Sequence, residues 1–181
     1  MGNWISIYTD ELDELKKVVQ SRDEAAAKTA IDRYQQKAGN HAKPATIDAI
    51  KRIVDGKYET GEQPDGHTLI FAFEHLCRSY AQEAETVEIY VDQDSFPEIF
   101  EFVFNSNSDP FRLPMSEMGS PACSHWPPEG VKKYLKLFST TNLERVRERT
   151  DSDYGTELEA LCKVLKAASE RGQGVFVFFN E

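Results

Sequence analysis

The chain has 181 residues, of which 40% are hydrophobic and 29% charged, and its formal net charge is −10 at pH 7. This length and composition predict one globular domain with a sizeable core and exclude a disordered chain. The acidic excess disfavours nucleic acid as a partner, and the apolar runs are far shorter than the roughly 20 residues of a membrane span.

The N-terminus and the cysteines bear on the compartment in which the protein works. No basic segment followed by an apolar one opens the sequence, so no signal peptide is predicted. Three cysteines form no disulfide framework, and Cys77 and Cys162 fall in apolar stripes of predicted helices. An odd number of cysteines without a secretory signal is typical of a reducing compartment. We expect a cytoplasmic protein in which Cys77 and Cys162 are buried and only Cys123 is accessible.

The first third of the chain predicts a strand followed by helices. Residues 3–8, NWISIY, are aromatic and β-branched, which is typical of a strand. Thr9 is the expected N-cap of the first helix. Ser21 and Glu24 have the spacing of a capping box at the start of a second helix. Pro44 suits the first turn of a third helix.

Residues 67–82 predict the most apolar helix of the chain, and we expect the rest of the fold to be organised around it. Its apolar positions recur at helical spacing on one face: Leu69, Phe73, Leu76, Cys77 and Tyr80. Only Glu74, Arg78 and Gln82 are left to face water. A helix of this kind needs cover on most of its circumference.

The middle of the chain predicts a strand, a helix and a long loop. Residues 86–92 alternate apolar and polar side chains, which predicts a half-buried strand near a sheet edge. Ser95 and Glu98 again have capping-box spacing, and a short helix is expected after them. Residues 105–128 carry five of the eight prolines and predict one irregular excursion, functional or packed by its own side chains.

The last third predicts helices and a closing strand. Helical patterns follow Pro128, near residues 143–149 and over residues 154–171. Residues 174–179, GVFVFF, are apolar on both faces, so this strand is expected inside the sheet. The predicted fold class is α+β, a mostly helical single domain over residues 1–181 with a small sheet that includes the first and last strands.

Three segments carry a resemblance to a known group of proteins. They are SIYTDELDEL at residues 6–15, FAFEHLC at residues 71–77 and the closing GVFVFF. Together they resemble a family of small bacterial cytosolic proteins of unknown function. The resemblance implies an N-terminal strand before a helix, an aromatic-Ala-aromatic-Glu-x-Leu-Cys helix at mid-chain and an apolar C-terminal strand. It implies no activity.

Charge is unevenly distributed along the sequence. Residues 83–109, here called the acidic segment, contain eight acidic residues and no lysine or arginine. The plainer interpretation is a solvated face around an edge strand. The functional one is a docking surface for a basic protein. Its candidate binding residues are Glu85, Glu88, Asp92, Asp94 and Glu98. A third possibility is internal pairing with the basic residues between Lys132 and Arg149.

Few residues suggest chemistry. Cys123 and His125, in PACSHWPP, are the candidate site of an enzyme, although a metal would need two more ligands and no nucleophile signature flanks them. His67 and Glu74 are two helical turns apart, too far for one ion without help, and His75 points away from Glu74. No metal or cofactor is therefore predicted.

Two functions of different classes follow from the sequence. The first is a non-enzymatic, acidic binding protein that docks a basic protein, for example one that neutralises a basic toxin. The second is a small enzyme with a site in residues 105–128 that uses Cys123 or His125. The absence of recognisable catalytic spacing favours the first. The sequence leaves the oligomeric state open.

Overall fold

The structure is a computed structural model that describes residues 3–57, 66–106, 108, 110–111, 122–150 and 152–180. Its strands are β1 (Trp4–Thr9), β2 (Ala84–Glu88), β3 (Ala122–Trp126) and β4 (Val175–Asn180). Its helices are α1 (Leu12–Lys16), α2 (Glu24–Ala38), α3 (Pro44–Asp55), α4 (Gly66–Tyr80), α5 (Pro97–Phe104), α6 (Pro128–Ser139), α7 (Leu143–Thr150) and α8 (Gly155–Arg171), with a 3-10 turn at Gly39–His41. The predicted α+β, mostly helical class is confirmed. Within the described ranges, no helix is long and apolar enough to cross a membrane.

Backbone contacts divide the chain into two compact units. Unit 1 comprises Met1–Asp10, Gln82–Pro110 and Ser120–Glu181, and it contains the sheet and helices α5 to α8. Unit 2 comprises Glu11–Ala81 and Phe111–Gly119, and it contains helices α1 to α4. The single domain expected from the sequence stays a prediction.

The four strands form an antiparallel sheet in the order β2-β1-β4-β3. Ile5 of β1 lies opposite Val87 of β2 and Phe179 of β4. Every residue from Val175 to Phe179 is buried, as expected for a strand that is apolar on both faces. The sheet therefore confirms an interior closing strand and an edge position for β2.

Strand β3 corrects the prediction of one irregular excursion over residues 105–128. Its sequence, ACSHW, escapes the usual strand pattern because Ser124 and His125 are polar and yet 7% and 5% exposed. Each is satisfied by hydrogen bonds, which removes the penalty for its burial. Ser124 Oγ donates to the carbonyl oxygen of Val103. The sequence predicts that apolar residues of this segment pack against one another. Three of them lie outside the described residues: Leu113, Met115 and Met118.

The core of unit 1 lies on one face of the sheet. Ile5, Ile7 and Val177 point into a cluster with buried residues of α5, α6 and α8. Aromatic rings form much of it, and Phe102 packs against Tyr134 at 4.9 Å between ring centroids. Burial, with a smaller effect of the Glu101 charge, raises the pKa of Tyr134 to about 12.

Three predicted helix caps are wrong. Thr9 belongs to β1, and its hydroxyl accepts the backbone N–H of Glu83 at 3.1 Å. Asp23, and not Ser21, caps α2 by accepting the N–H groups of residues 25 and 26. Ser95 lies one residue outside the N-cap position of α5. Serine and aspartate both cap helices well, so their close spacing in the sequence does not determine which of them acts.

Helix α4 lies in unit 2, where it packs against α1, α2 and α3. Leu69, Phe73, Leu76 and Cys77 are buried as predicted. The ring of Phe73 meets that of Phe111 edge to face at 5.9 Å between centroids. Phe71 is 39% exposed, which corrects the expectation that only polar side chains of this helix face water.

None of the three cysteines forms a disulfide, and their burial differs from the prediction at one position. Cys77 is buried, whereas Cys123 and Cys162 are both half-buried. Cys162 therefore lies at the margin of the buried stripe of α8. Its Sγ is 3.9 Å from the hydroxyl of Ser139, and partial burial raises the pKa of its thiol.

Candidate functional site

A chain of three hydrogen-bonded side chains is the best-formed polar cluster of unit 1. His125 Nε2 lies 2.7 Å from Asp10 Oδ2, and His125 Nδ1 lies 2.7 Å from Ser108 Oγ. Asp10 Oδ1 also accepts the backbone N–H of Gly174 at 2.8 Å. The hydroxyl of Ser106 donates to the carbonyl oxygen of His125. We call Asp10, His125 and Ser108 the Asp-His-Ser chain.

Chemically, the Asp-His-Ser chain has the parts of a nucleophile with its base. A neutral imidazole that donates from Nε2 to the Asp10 carboxylate leaves Nδ1 to accept the proton of Ser108. However, Asp10 and His125 are only 4% and 5% exposed. Buried polar groups without partners are costly. The Asp-His-Ser chain therefore stabilises the fold by linking the residue after β1, strand β3 and Ser108.

Cys123 is the other residue of the predicted enzyme site. It precedes His125 by two positions on β3 and so faces the same side of the strand. Both ring nitrogens of His125 already lie within hydrogen-bond distance of other side chains. The role of Cys123 as a nucleophile stays a prediction, and the hydrogen-bonded partners of the His125 ring are Asp10 and Ser108.

The five predicted binding residues of the acidic segment have different surroundings, and the prediction that they form one docking site stays a prediction. Glu85 pairs with Lys163 at 3.1 Å between Oε1 and Nζ. Asp92 accepts the backbone N–H of Ser95 at 2.8 Å, and hydrogen bonds from Ser95 lower the pKa of the Asp92 carboxyl. Glu85 and Asp92 thus have roles within the fold.

Internal pairing accounts for further members of the acidic segment. Glu101 Oε2 lies 3.7 Å from Lys133 Nζ, and Glu83 Oε1 lies 3.5 Å from Arg171 Nη2. Glu98 lines a cleft of about 220 Å³ together with Arg145 and Arg149. The two ion pairs, Glu101 with Lys133 and Glu83 with Arg171, are largely exposed, so each contributes roughly 0–1 kcal/mol to stability.

Glu88 and Asp94 remain as exposed carboxylates, and no ion pair of the described residues includes them. Glu88 lies opposite Trp4 in the register of β1 and β2. Trp4 is 44% exposed and Tyr90, two residues beyond Glu88, is 50% exposed. We call Trp4, Glu88 and Tyr90 the β2 patch.

The histidines of the central helix form no ligand set. His75 is half-buried, and its ring lies 4.7 Å from that of Tyr34, centroid to centroid. The side chain of His67 lies outside the described residues. Across the described part of the chain, no group of three or more His, Cys, Asp or Glu residues is placed to hold a metal ion.

Asp10 and Ser108 are the polar partners that sequence reasoning missed. Asp10 is 115 positions from His125 along the chain. Its sequence context predicts a residue in the first turn of a helix. Ser108 is one of several polar residues of a loop. The pairing of β3 with β4, and of β4 with β1, brings Asp10 near His125, and an isolated antiparallel bridge places Ser108 opposite His125.

Comparison with known proteins identifies a family to which this chain is similar. No curated protein and no solved structure matches the chain. One family, described as a domain of unknown function (DUF7691), matches residues 1–180. Because the match covers nearly every residue of the sequence, the chain belongs to this family of unknown function.

Proposed function

We propose that this protein is a binding module that docks a basic protein through the β2 patch and Asp94, an exposed residue four positions after Tyr90 in the sequence. The observation that carries this proposal is the exposure of two large aromatic side chains beside an unpaired carboxylate on an edge strand. Trp and Tyr are enriched at the energetic centres of protein interfaces. Carboxylates around them favour a partner rich in lysine or arginine.

The edge position of β2 supports the same proposal. In the described sheet β2 pairs with β1 on one side only, so its other edge presents backbone groups to the surroundings. A basic segment of a partner can therefore combine backbone hydrogen bonds with contacts to Glu88 and the aromatic rings. Neutralising an exposed acidic residue also reduces repulsion within a chain of net charge −10.

The test uses two double variants that remove the same charge from different places. Glu88→Gln with Asp94→Asn removes the unpaired carboxylates, and Glu159→Gln with Glu170→Gln removes two exposed acids of α8. Association with a lysine-rich peptide probe is measured by surface plasmon resonance at low and high salt. We expect the first variant alone to lose on-rate and salt dependence, because screened charges act mainly on association.

The aromatic contribution is tested separately. Trp4→Ala is expected to raise the dissociation rate of the same probe while leaving the free energy of unfolding nearly unchanged, since the side chain is 44% exposed. Equal binding by the wild type and both charge variants would reject the β2 patch as a docking surface.

An enzyme that uses His125 is the second candidate, and the Asp-His-Ser chain is the observation that favours it. In this alternative Ser108 Oγ is the nucleophile, His125 the base and Asp10 the group that orients the ring. The burial of His125 places this candidate behind the binding module. A fluorophosphonate probe that labels the wild type and not Ser108→Ala would support the enzyme, and absence of labelling in both would reject it.

A further inference from the structure

Helices α2, α3 and α4 of unit 2 form a cavity of about 520 Å³, a volume typical of small-molecule sites. Five basic side chains line it: Lys37, His41, Lys43, His75 and Arg78. None of the described residues that line it is acidic, although the chain as a whole has ten more acidic than basic residues. We call this space the basic cavity.

Part of the positive charge near the basic cavity serves the fold. Lys37 Nζ donates to the carbonyl oxygen of Arg78 at 2.9 Å, and Arg33 Nη1 donates to that of Ser79 at 3.3 Å. These carbonyls belong to the last turn of α4, where cations are favoured by the helix dipole. This role explains Lys37 and Arg33. It explains neither the side chain of Arg78 nor that of Lys43.

The cations of the basic cavity repel one another. Partial burial lowers the pKa of Lys37, and the charges of Arg78 and Arg33 lower it further. Burial likewise lowers the pKa of His75, with Arg78 and Lys37 adding to the effect and Glu74 opposing it. A bound anion would relieve this repulsion and replace water around groups that are already partly desolvated.

The other side chains that line the basic cavity are two aromatic rings, two alanines and two threonines. Phe71 lines it and is 39% exposed, which is unusual for a phenylalanine on a helix that otherwise buries its large side chains. The rings of Tyr34 and His75, which also line the basic cavity, pack together. A ligand that fits both features has an anionic group at one end and a planar or apolar body at the other.

We propose that the basic cavity binds a small molecule that carries a phosphate group on an aromatic or apolar body. A phosphate has close to two negative charges and three acceptor oxygens at pH 7, which suits several converging cations better than a single carboxylate does. Arg78 and Lys37 are the expected phosphate contacts, and Phe71 contacts the body. This site does not involve the β2 patch and is independent of the proposed docking function.

Phenyl phosphate and inorganic phosphate are the two probes, and isothermal titration calorimetry at constant ionic strength is the measurement. We expect phenyl phosphate to bind more tightly than inorganic phosphate. Arg78→Gln and Lys37→Gln are each expected to weaken both probes roughly tenfold or more, the usual effect of losing a hydrogen bond to a charged group. Phe71→Ala should remove the preference for phenyl phosphate and leave inorganic phosphate unaffected.

The matched control is Lys28→Gln, which removes the same charge from an exposed position of α2 outside the basic cavity. It should bind both probes as the wild type does, and circular dichroism melts confirm that each variant is folded. Equal weakening by Lys28→Gln and Arg78→Gln would overturn the proposal, because it would show attraction to overall charge. Absence of binding by the wild type at millimolar probe concentration would overturn it as well.

Discussion

The Asp-His-Ser chain leads to a stability prediction whose size follows from the structure. His125→Leu replaces the imidazole ring by an apolar side chain of similar reach, and so removes both ring nitrogens. Among the described residues, the N–H of Gly174, 2.8 Å away, is then the remaining hydrogen-bond donor to the Asp10 carboxylate, which stays 4% exposed. Removing one partner of a buried polar pair of this kind costs about 3–5 kcal/mol, and we expect that loss in the free energy of unfolding.

A double-mutant cycle separates the hydrogen bond from the packing of the ring. Asp10→Asn preserves the shape of the side chain, and its carbonyl oxygen can still accept from Gly174. With Asp10→Asn in place, His125→Leu should cost about 1–3 kcal/mol less than it does in the wild type, the usual coupling of residues in contact. Urea titrations followed by circular dichroism give the four values. His41→Leu, at an exposed histidine, is the control and should change stability by about 0.5 kcal/mol or less. Additive effects, or a cost of His125→Leu below about 1 kcal/mol, would refute the reasoning.

Three shorter predictions concern other residues. Phe73→Ala should cost about 3–5 kcal/mol in urea titrations because its ring is fully buried against Phe111; a loss below 1 kcal/mol would contradict this. Thiol labelling of the native protein should modify Cys77 most slowly. The labelling rate at Cys162 should still be rising above pH 9.0, since burial raises the pKa of its thiol above that ordinary value. Equal rates at Cys77 and Cys162 would be inconsistent with their burial. Because burial holds the pKa of His75 below 6.5, the unfolded chain protonates first, so this residue stabilises the fold above pH 6.5 and loses that contribution as the pH falls. His75→Gln should reduce the slope of the free energy of unfolding against pH below pH 6.5. An unchanged slope would count against the burial of the ring.

The sequence predicts those elements whose pattern matches their environment. GVFVFF is apolar at every position and lies inside the sheet. Four of the five predicted stripe residues of α4 are buried, whereas Tyr80 is half-buried. β3 escapes prediction because Ser124 and His125 are polar residues in a buried strand, and their hydrogen-bond partners are remote in the sequence. Local pattern carries no information about partners that only the tertiary fold supplies.

The candidate sites show the same limit. The acidic segment is visible as a run of charges, but its division into paired Glu85 and unpaired Glu88 depends on where Lys163 of α8 comes to lie. The basic cavity is not visible at all. Lys37 and Arg78 belong to two different helices, and the net charge of the chain conceals their convergence.

The position of β4 has a consequence for the order in which the sheet assembles. β1 is made first and β4 last, yet the two are neighbours, with Ile5 opposite Phe179. During synthesis β1 can pair with β2 early, and the edge of β1 that β4 will occupy stays open until β4 itself has been made. Such an edge invites pairing with other chains. Closing so long a loop is also slow. A nascent chain therefore exposes an aggregation-prone edge of β1 until β4 is made. A chaperone that covers extended segments should raise the yield of folded molecules.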